Sequence, residues 1–357
     1  MVHYHVDLDN LDLLKDGDPE DMLGALKGLP DQCRQAVQIA GSRGIKFSRS
    51  FSNVVVTGLG GSAIGGDFLR VYAVKKAAIP VNVNRDYTMP SYVNKDSLVF
   101  ATSFSGNTEE TLSAYEDAKS KGAALIVITS GGKLAEKAQR DGIPLITIPG
   151  GLQPRAAIGY LFLPTVVVMS SLGLIPDATY DLEDLFKNLE QVRDKIAPET
   201  MEKDNQAKQL AKLFYQKIPV IWGALGSTET VAMRWKGQIN ENSKAPAYFN
   251  IFPELNHNEI VGTEVPKDIL SKVELVFLRD KGDHPRVQKR FEITRELIKE
   301  RVSGITEVWG AGNTDLSRML TLTYIGDYTS VYLAVLYGID PSPVKLITQL
   351  KNKLAEE

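Results

Sequence analysis

Apolar residues fall along this chain in short continuous runs separated by stretches of helical spacing. Asn53–Thr57 is a β-branched run followed by a glycine loop and a helix-like stretch. Pro80–Asn84, Ser97–Thr102, Ala124–Thr129 and Pro144–Ile148 repeat the theme, with a polar loop and a helical pattern reaching Lys121 after the third run. Strands alternating with helices predict βαβ units and a parallel sheet, and unbroken apolar strands predict a sheet covered on both faces. The second half follows the same grammar. Pro219–Gly223, Ala247–Ile251, Val273–Leu278 and Ile305–Gly310 read as strands, and Glu229–Glu241, Arg286–Val302, Leu316–Tyr337 and Val344–Leu354 as helices. Between the halves, Asp177–Lys212 is charged and rich in helix formers, which predicts one or two exposed helices.

An echo links the halves. Val54-Val-Val-Thr-Gly-Leu-Gly-Gly-Ser62 is similar to Val220-Ile-Trp-Gly-Ala-Leu-Gly-Ser227 in its strand, glycine turn and serine. The fold expected is α/β, with two doubly wound parallel-sheet αβα sandwich domains: residues 1–176, a helical linker at 177–212, and 213–357. A length of 357 residues agrees, because one hydrophobic core seldom extends so far.

The stretch from Ala156 to Pro176 carries no charge and is long enough to span a bilayer. Gly159, Pro164 and Gly173 interrupt it and no second span exists, so a buried helix is the better reading. The first ten residues, with His3, His5, Asp7 and Asp9, lack the basic and apolar regions of a signal peptide. A net charge of −3 predicts neither a nucleic-acid nor an anionic-membrane partner. Cys33 is the only cysteine, which excludes an intrachain disulfide and a cysteine-based zinc site and is consistent with a reducing, cytoplasmic setting.

Two loops carry candidate chemistry. Gly58-Leu-Gly-Gly-Ser-Ala-Ile-Gly-Gly66 follows the first strand and opens a helix, where backbone N–H groups and the helix N-terminus favour an anion. Alone it also fits a dinucleotide fingerprint, or a turn that simply needs glycine. The second loop, Ser103-Phe-Ser-Gly-Asn-Thr-Glu-Glu110, decides between them. It crowds Ser103, Ser105 and Thr108 into one strand-to-helix turn. A capping box explains one such hydroxyl but not three. Hydroxyls and helix-start N–H groups together bind a phosphate without a lysine. The two loops resemble the sugar isomerase domain, and the tandem arrangement, with the second copy lacking the serine loop, is similar to the phosphoglucose isomerases. The second-half counterpart, Leu278-Arg-Asp-Lys-Gly-Asp-His284, has no Ser/Thr cluster, which predicts one phosphate site per chain.

The second half supplies acid–base candidates. Glu241 lies between Asn240 and Asn242 at a helix C-terminus, where the dipole disfavours a carboxylate. His257 sits in the polar loop from Pro253 to Gly262; histidine titrates near neutrality, but a hydrogen-bonded loop histidine is the commoner case. A metal site built from Glu254, His257 and Glu259 lacks a second nearby His or Cys. Taken together, the stretches from Gln238 to Lys244 and from Glu254 to Ile260 resemble the bifunctional phosphoglucose/phosphomannose isomerases. The resemblance implies that Glu241 is the base. It implies that His257 assists ring opening from the neighbouring subunit of a homodimer. It also implies that Arg155, in a Pro-Arg pair, stabilises an enediolate, and that Lys351 in the Asp340-Pro … Leu-Lys ending acts with the histidine; Lys345 is the alternative and Lys353 the weaker one. The phosphate ligands would be Gly61, Ser62, Ser103, Ser105 and Thr108, the substrate a hexose 6-phosphate, and no metal or cofactor is required.

The implied activity is interconversion of glucose 6-phosphate and mannose 6-phosphate with fructose 6-phosphate. Three rivals remain at this level: a non-catalytic sugar-phosphate-binding regulator, a nicotinamide-dependent dehydrogenase built on the Gly58 loop, and an isomerase of another phosphosugar.

Overall fold

The structure, a computed structural model, describes residues 6–354 and Glu356. His3 and His5 lie outside the described residues. The chain divides into two compact units. One comprises Gly28–Leu189 with Gly312–Arg318, and carries the first sheet. The other comprises Met1–Lys27, Glu190–Ala311 and Met319–Glu357, and carries the second.

The chain opens with α1 (Leu11–Asp16), α2 (Met22–Lys27) and α3 (Leu29–Gly41). None of these was expected from the apolar runs. Their signals are local: Asn10 caps α1 by accepting from the N–H groups of Asp12 and Leu13, and Pro30 stands in the first turn of α3. The first sheet then builds up through β1 (Asn53–Thr57), α4 (Gly61–Ala73), β2 (Val81–Asn84), β3 (Ser97–Thr102), α5 (Glu109–Ser120), β4 (Ala124–Thr129), α6 (Gly132–Arg140) and β5 (Leu145–Thr147). All five strands are parallel, in the order β2-β1-β3-β4-β5. Every residue of β1, β3 and β4 is buried, as expected of a sheet covered on both faces.

After β5 a short 3-10 turn, Pro154–Ala156, leads into α7 (Ile158–Ser171). This is the charge-free run, and it is a core helix. It packs on α3, where Gln32 donates to the Ala156 carbonyl at 2.9 Å and accepts from the Gly159 N–H at 2.6 Å. Burial beside it pushes the Cys33 thiol pKa well above its ordinary value. Among the described residues, no helix is long and apolar enough to cross a membrane. The charged stretch after Asp177 holds α8 (Thr179–Ile196) and α9 (Gln206–Phe214), and the division between the units falls within α8, after Leu189.

The second sheet builds up through β6 (Ile218–Ala224), α10 (Glu229–Gln238), β7 (Tyr248–Phe252), α11 (Lys267–Leu270), β8 (Val273–Arg279), α12 (Pro285–Ile298) and β9 (Gly304–Trp309), followed by α13 (Asp315–Leu336) and α14 (Lys345–Leu354). Its four strands are again parallel, in the order β7-β6-β8-β9. Strand order reverses between β1 and β3 in one sheet and between β6 and β8 in the other. Such switch points open a crevice at the carboxyl ends of the strands.

One buried cluster ties α10 to α13. The Arg234 guanidinium makes a two-pronged contact with Asp327, through Nε at 3.1 Å and Nη2 at 2.7 Å, and Gln238 donates to the same carboxylate at 3.0 Å. Trp235 donates to the Leu322 carbonyl at 2.9 Å, and a Cβ on Gly326 would lie 2.2 Å from the Trp235 indole nitrogen. Asp327→Ala leaves a buried guanidinium without this carboxylate and should destabilise the protein by about 3–5 kcal/mol. Chemical denaturation of wild type and variant, compared at their midpoints, checks it.

Candidate functional site

In the first-sheet unit, three segments meet at the β1/β3 switch point. After β1 the chain turns at Gly60, with φ +53°, and α4 starts at Gly61. Most of the surrounding glycines serve close packing. A Cβ on Gly58 would lie 2.7 Å from the Thr102 carbonyl oxygen, on Gly65 2.8 Å from that of Leu161, and on Gly66 2.8 Å from the Val56 side chain. The glycine requirement of this turn is therefore real. A Cβ on Gly61 would lie 2.7 Å from the Pro154 carbonyl oxygen and 3.4 Å from the Arg155 nitrogen. Only glycine lets the start of α4 and the Arg155 turn touch.

The loop after β3 joins the same cluster. The Phe104 N–H donates to Ser62 Oγ at 3.2 Å, stitching the β3 loop to the start of α4. Ser103 Oγ shares a 2.9 Å hydrogen bond with Thr108 Oγ1 and accepts from the Gly106 N–H at 3.1 Å. Ser105 accepts from the Asn107 N–H at 3.3 Å. Gly106 has φ +70°, and a Cβ there would lie 1.8 Å from the Gly131 carbonyl oxygen. Thr108 is the N-cap of α5 but its side chain makes no capping bond, so the capping-box alternative does not hold for it. Ser62 and Ser103 are buried, Thr108 is half-buried and Ser105 is exposed. Gly61, Ser62, Ser103, Ser105, Thr108 and the backbone of Arg155 are thus brought into one neighbourhood, with Arg155 itself buried. Neutral donors at two helix starts suit a phosphate group.

Glu241, His257 and Lys351 belong to the other unit. Past Gln238 the helix widens into a π turn, Ile239–Ser243, and Glu241 is its half-buried middle residue. π turns of this kind recur at functional positions. The neighbours of Glu241 are pinned. Asn240 donates to the Ala245 carbonyl at 2.9 Å, Asn242 to Ser330 Oγ at 2.9 Å, and Ser243 to the Ser330 carbonyl at 2.6 Å. Lys244, with φ +53°, turns its ammonium back onto the carbonyls of Glu241 and Asn242, and onto those of Asp340 and Pro341. That cation offsets the dipole that disfavours a carboxylate at a helix C-terminus. It also ties the Glu241 turn to the segment leading into α14. Sequence reasoning gave Lys244 no role; a lysine just past a helix end was the available signal.

His257 is exposed at the end of a 3-10 turn, Glu254–His257. Glu259 does not face it as a metal partner: its carboxylate accepts from Trp222 Nε1 at 2.8 Å and from the Asn250 amide. Among the described residues, no group of three or more His, Cys, Asp or Glu is arranged to hold a metal ion. Lys351, Lys345 and Lys353 are all exposed on α14. The echo loop of this unit also turns on a positive-φ glycine, Gly226 at +76°. Its serine is engaged differently: Ser227 donates to the Asp283 carboxylate. That serine is therefore already engaged within the protein.

Comparison with known proteins identifies the family of both halves. Residues 49–148 match the SIS domain family, and residues 203–354 match the bacterial phospho-glucose isomerase C-terminal SIS domain. A bifunctional phosphoglucose/phosphomannose isomerase of Caldicellulosiruptor bescii is 53% identical over 336 residues, covering 94% of this chain and 99% of that one. Another, of Aquifex aeolicus, is 40% identical over 308 residues, covering 85% of this chain and 91% of its own. In three dimensions, a glucose-6-phosphate isomerase like protein of Thermus thermophilus aligns with a TM-score of 0.62 at 18% identity, over 96% of this chain and 99% of that one, which shows the shared fold. With two parallel sheets, a hydroxyl cluster at the first switch point and near full-length identity to named members, this chain belongs to the bifunctional phosphoglucose/phosphomannose isomerase family.

Proposed function

We propose that this protein interconverts glucose 6-phosphate and mannose 6-phosphate with fructose 6-phosphate through a cis-enediolate. The observation that carries the reading is the hydrogen-bonded hydroxyl cluster of Ser62, Ser103 and Thr108 at the β1/β3 switch point, with Arg155 held against it by Gly61. This cluster and the exposed Ser105 would hold the 6-phosphate. Arg155, a buried residue whose backbone adjoins Gly61, would stabilise the oxyanion that develops during proton transfer.

His257 and Lys351 then open the sugar ring by moving a proton to the ring oxygen and from the C1 hydroxyl. Glu241 removes the C2 proton of the open-chain aldose, and the electron pair passes into the C1–C2 bond as the C1 oxygen takes up charge. Returning the proton to C1, while the C2 hydroxyl gives its proton to O1 and becomes the carbonyl, yields the ketose. The enediolate has no stereocentre at C2, so turning about the C2–C3 bond lets one carboxylate serve both epimers. The pinned π turn supports Glu241 in this role, because a base must be held in place to act. Sharing of His257 between the subunits of a homodimer, in the cytoplasm, belongs to the same reading.

Glu241→Gln should lower kcat for glucose and mannose 6-phosphates alike, by about 10³-fold, as expected on losing a general base. Assays of fructose 6-phosphate formation from each substrate, with glucosamine 6-phosphate as a third arm, check this. Survival of one activity would sink the shared base, and preferential turnover of the amino sugar would move the assignment to another phosphosugar.

Ser103→Ala loosens the loop that Thr108 and Gly106 complete. It should raise KM for both substrates, and the inhibition constant of inorganic phosphate, by about tenfold or more, the scale of one hydrogen bond to a charged group. Steady-state kinetics with phosphate as inhibitor reads it out.

If His257 reaches the partner's site, mixing Glu241→Gln with His257→Asn protein under subunit exchange creates dimers with one intact site. An equal mixture should recover about a quarter of wild-type activity, because half of randomly paired dimers are hybrids with one of two sites intact. No recovery despite demonstrated exchange would refute the shared histidine.

A further inference from the structure

We infer that Glu259 is the positioning residue for His257: its carboxylate, gripped by Trp222 and Asn250, sets where the loop presents the imidazole. The inference rests on the ring-opening role proposed for His257.

The loop from Phe252 to Thr263 leaves an edge strand and contains only short 3-10 turns, so regular structure does little to fix it. Three side chains anchor it. Leu255 is buried in the apolar cluster of Phe252, Phe277 and Phe291. Asn256 is tied to α12, donating to Thr294 Oγ1 at 2.9 Å and accepting from Arg290 Nη1 at 3.2 Å. Glu259 is tied to the sheet. Its Oε1 accepts from Trp222 Nε1 on β6 at 2.8 Å, and its Oε2 accepts from Asn250 Nδ2 on β7. His257 lies between the last two anchors, exposed to solvent. It follows Asn256 directly, and Asn258 beyond it leans on Glu254 at 3.2 Å.

The chemistry of the Glu259 contact demands a carboxylate. An indole N–H only donates, and Trp222 is 1% exposed, so it needs an acceptor from the protein. Asn250 is oriented by its own Oδ1, which accepts from the Ile251 N–H at 2.8 Å, and so its amide NH₂ faces Glu259. Two donors converge on one side chain. Ionised Glu offers two acceptor oxygens, whereas Gln would set an NH₂ against one of the donors. The carboxylate is therefore specified by its partners, and what it holds in register is the segment two residues past the histidine.

The test is a set of variants assayed for glucose 6-phosphate isomerisation, with thermal midpoints recorded for each. Glu259→Gln should lower kcat about 10- to 100-fold, the scale of a catalytic group displaced by about an ångström, with KM changed less than about twofold. Glu259→Gln with Asn250→Asp restores complementary pairing, the Gln amide donating to the new carboxylate and its oxygen accepting from Trp222, and should recover most of the lost kcat. In a His257→Asn background, Glu259→Gln should cost nothing further. Trp222→Phe removes one donor only and should give a smaller kcat loss, also silent in the His257→Asn background; it serves if Glu259→Gln does not fold. Equal losses with and without His257, or a swap variant no better than the single one, would overturn the positioning role while leaving an impaired His257→Asn to support ring opening. A His257→Asn protein at the wild-type rate would overturn the histidine reading and this inference with it.

Discussion

The close approach of α4 to the Arg155 turn is the constraint on which the hydroxyl cluster of the first sheet depends. A Cβ at Gly61 would sit 2.7 Å from the Pro154 carbonyl oxygen, well inside any van der Waals contact. Without that contact, Ser62 and Arg155 would be served by separate, unrelated loops. With it, the carboxyl ends of β1, β3 and β5 contribute to one cluster, and the Phe104 N–H on Ser62 Oγ locks the middle loop to it. Glycine is needed here because backbone must touch backbone, and the proposed phosphate binding would draw on the N–H groups this arrangement brings to helix starts.

The Glu241 turn is fixed by a different kind of contact. Here helix α10 is gripped by buried polar partners on α13: Arg234 and Gln238 on Asp327, then Asn242 and Ser243 on Ser330. Buried polar networks of this type hold one geometry because each member left unsatisfied is costly. The π turn begins where that grip shifts from Asp327 to Ser330. Lys244 closes the turn and neutralises the exposed carbonyls that would otherwise repel a carboxylate.

The two sheets share a design and differ in charge at their switch points. Gly60 and Gly226 both adopt positive φ after the first strand of their sheets. In one unit the next loop brings neutral hydroxyls; in the other, Asp283 accepts from Ser227. The two turns thus differ in what they present: a hydroxyl pair in one sheet, and a serine bonded to a carboxyl group in the other.

The strands were readable from the chain alone because unbroken β-branched runs have few other solutions. Asn53–Thr57, Ser97–Thr102 and Ala124–Thr129 emerged with the expected bounds, and the charge-free run proved to be a core helix. The loop bearing Ser103, Ser105 and Thr108 was readable because its hydroxyls lie close together in sequence, whereas the contact of Ser62 with that loop was not. Helices α1 to α3 escaped because α1 is short and marked chiefly by its cap, and because the buried face of α3, Leu29, Cys33, Ala36 and Ala40, is made mostly of small side chains. What the chain could not reveal were contacts between residues far apart in it. Gly61 on Pro154, Asp327 on Arg234 and Glu259 on Trp222 each join separate elements, and only the folded chain decides which donor meets which acceptor. Composition and local spacing determine the elements and the chemistry available; geometry at long sequence separation determines how that chemistry is held.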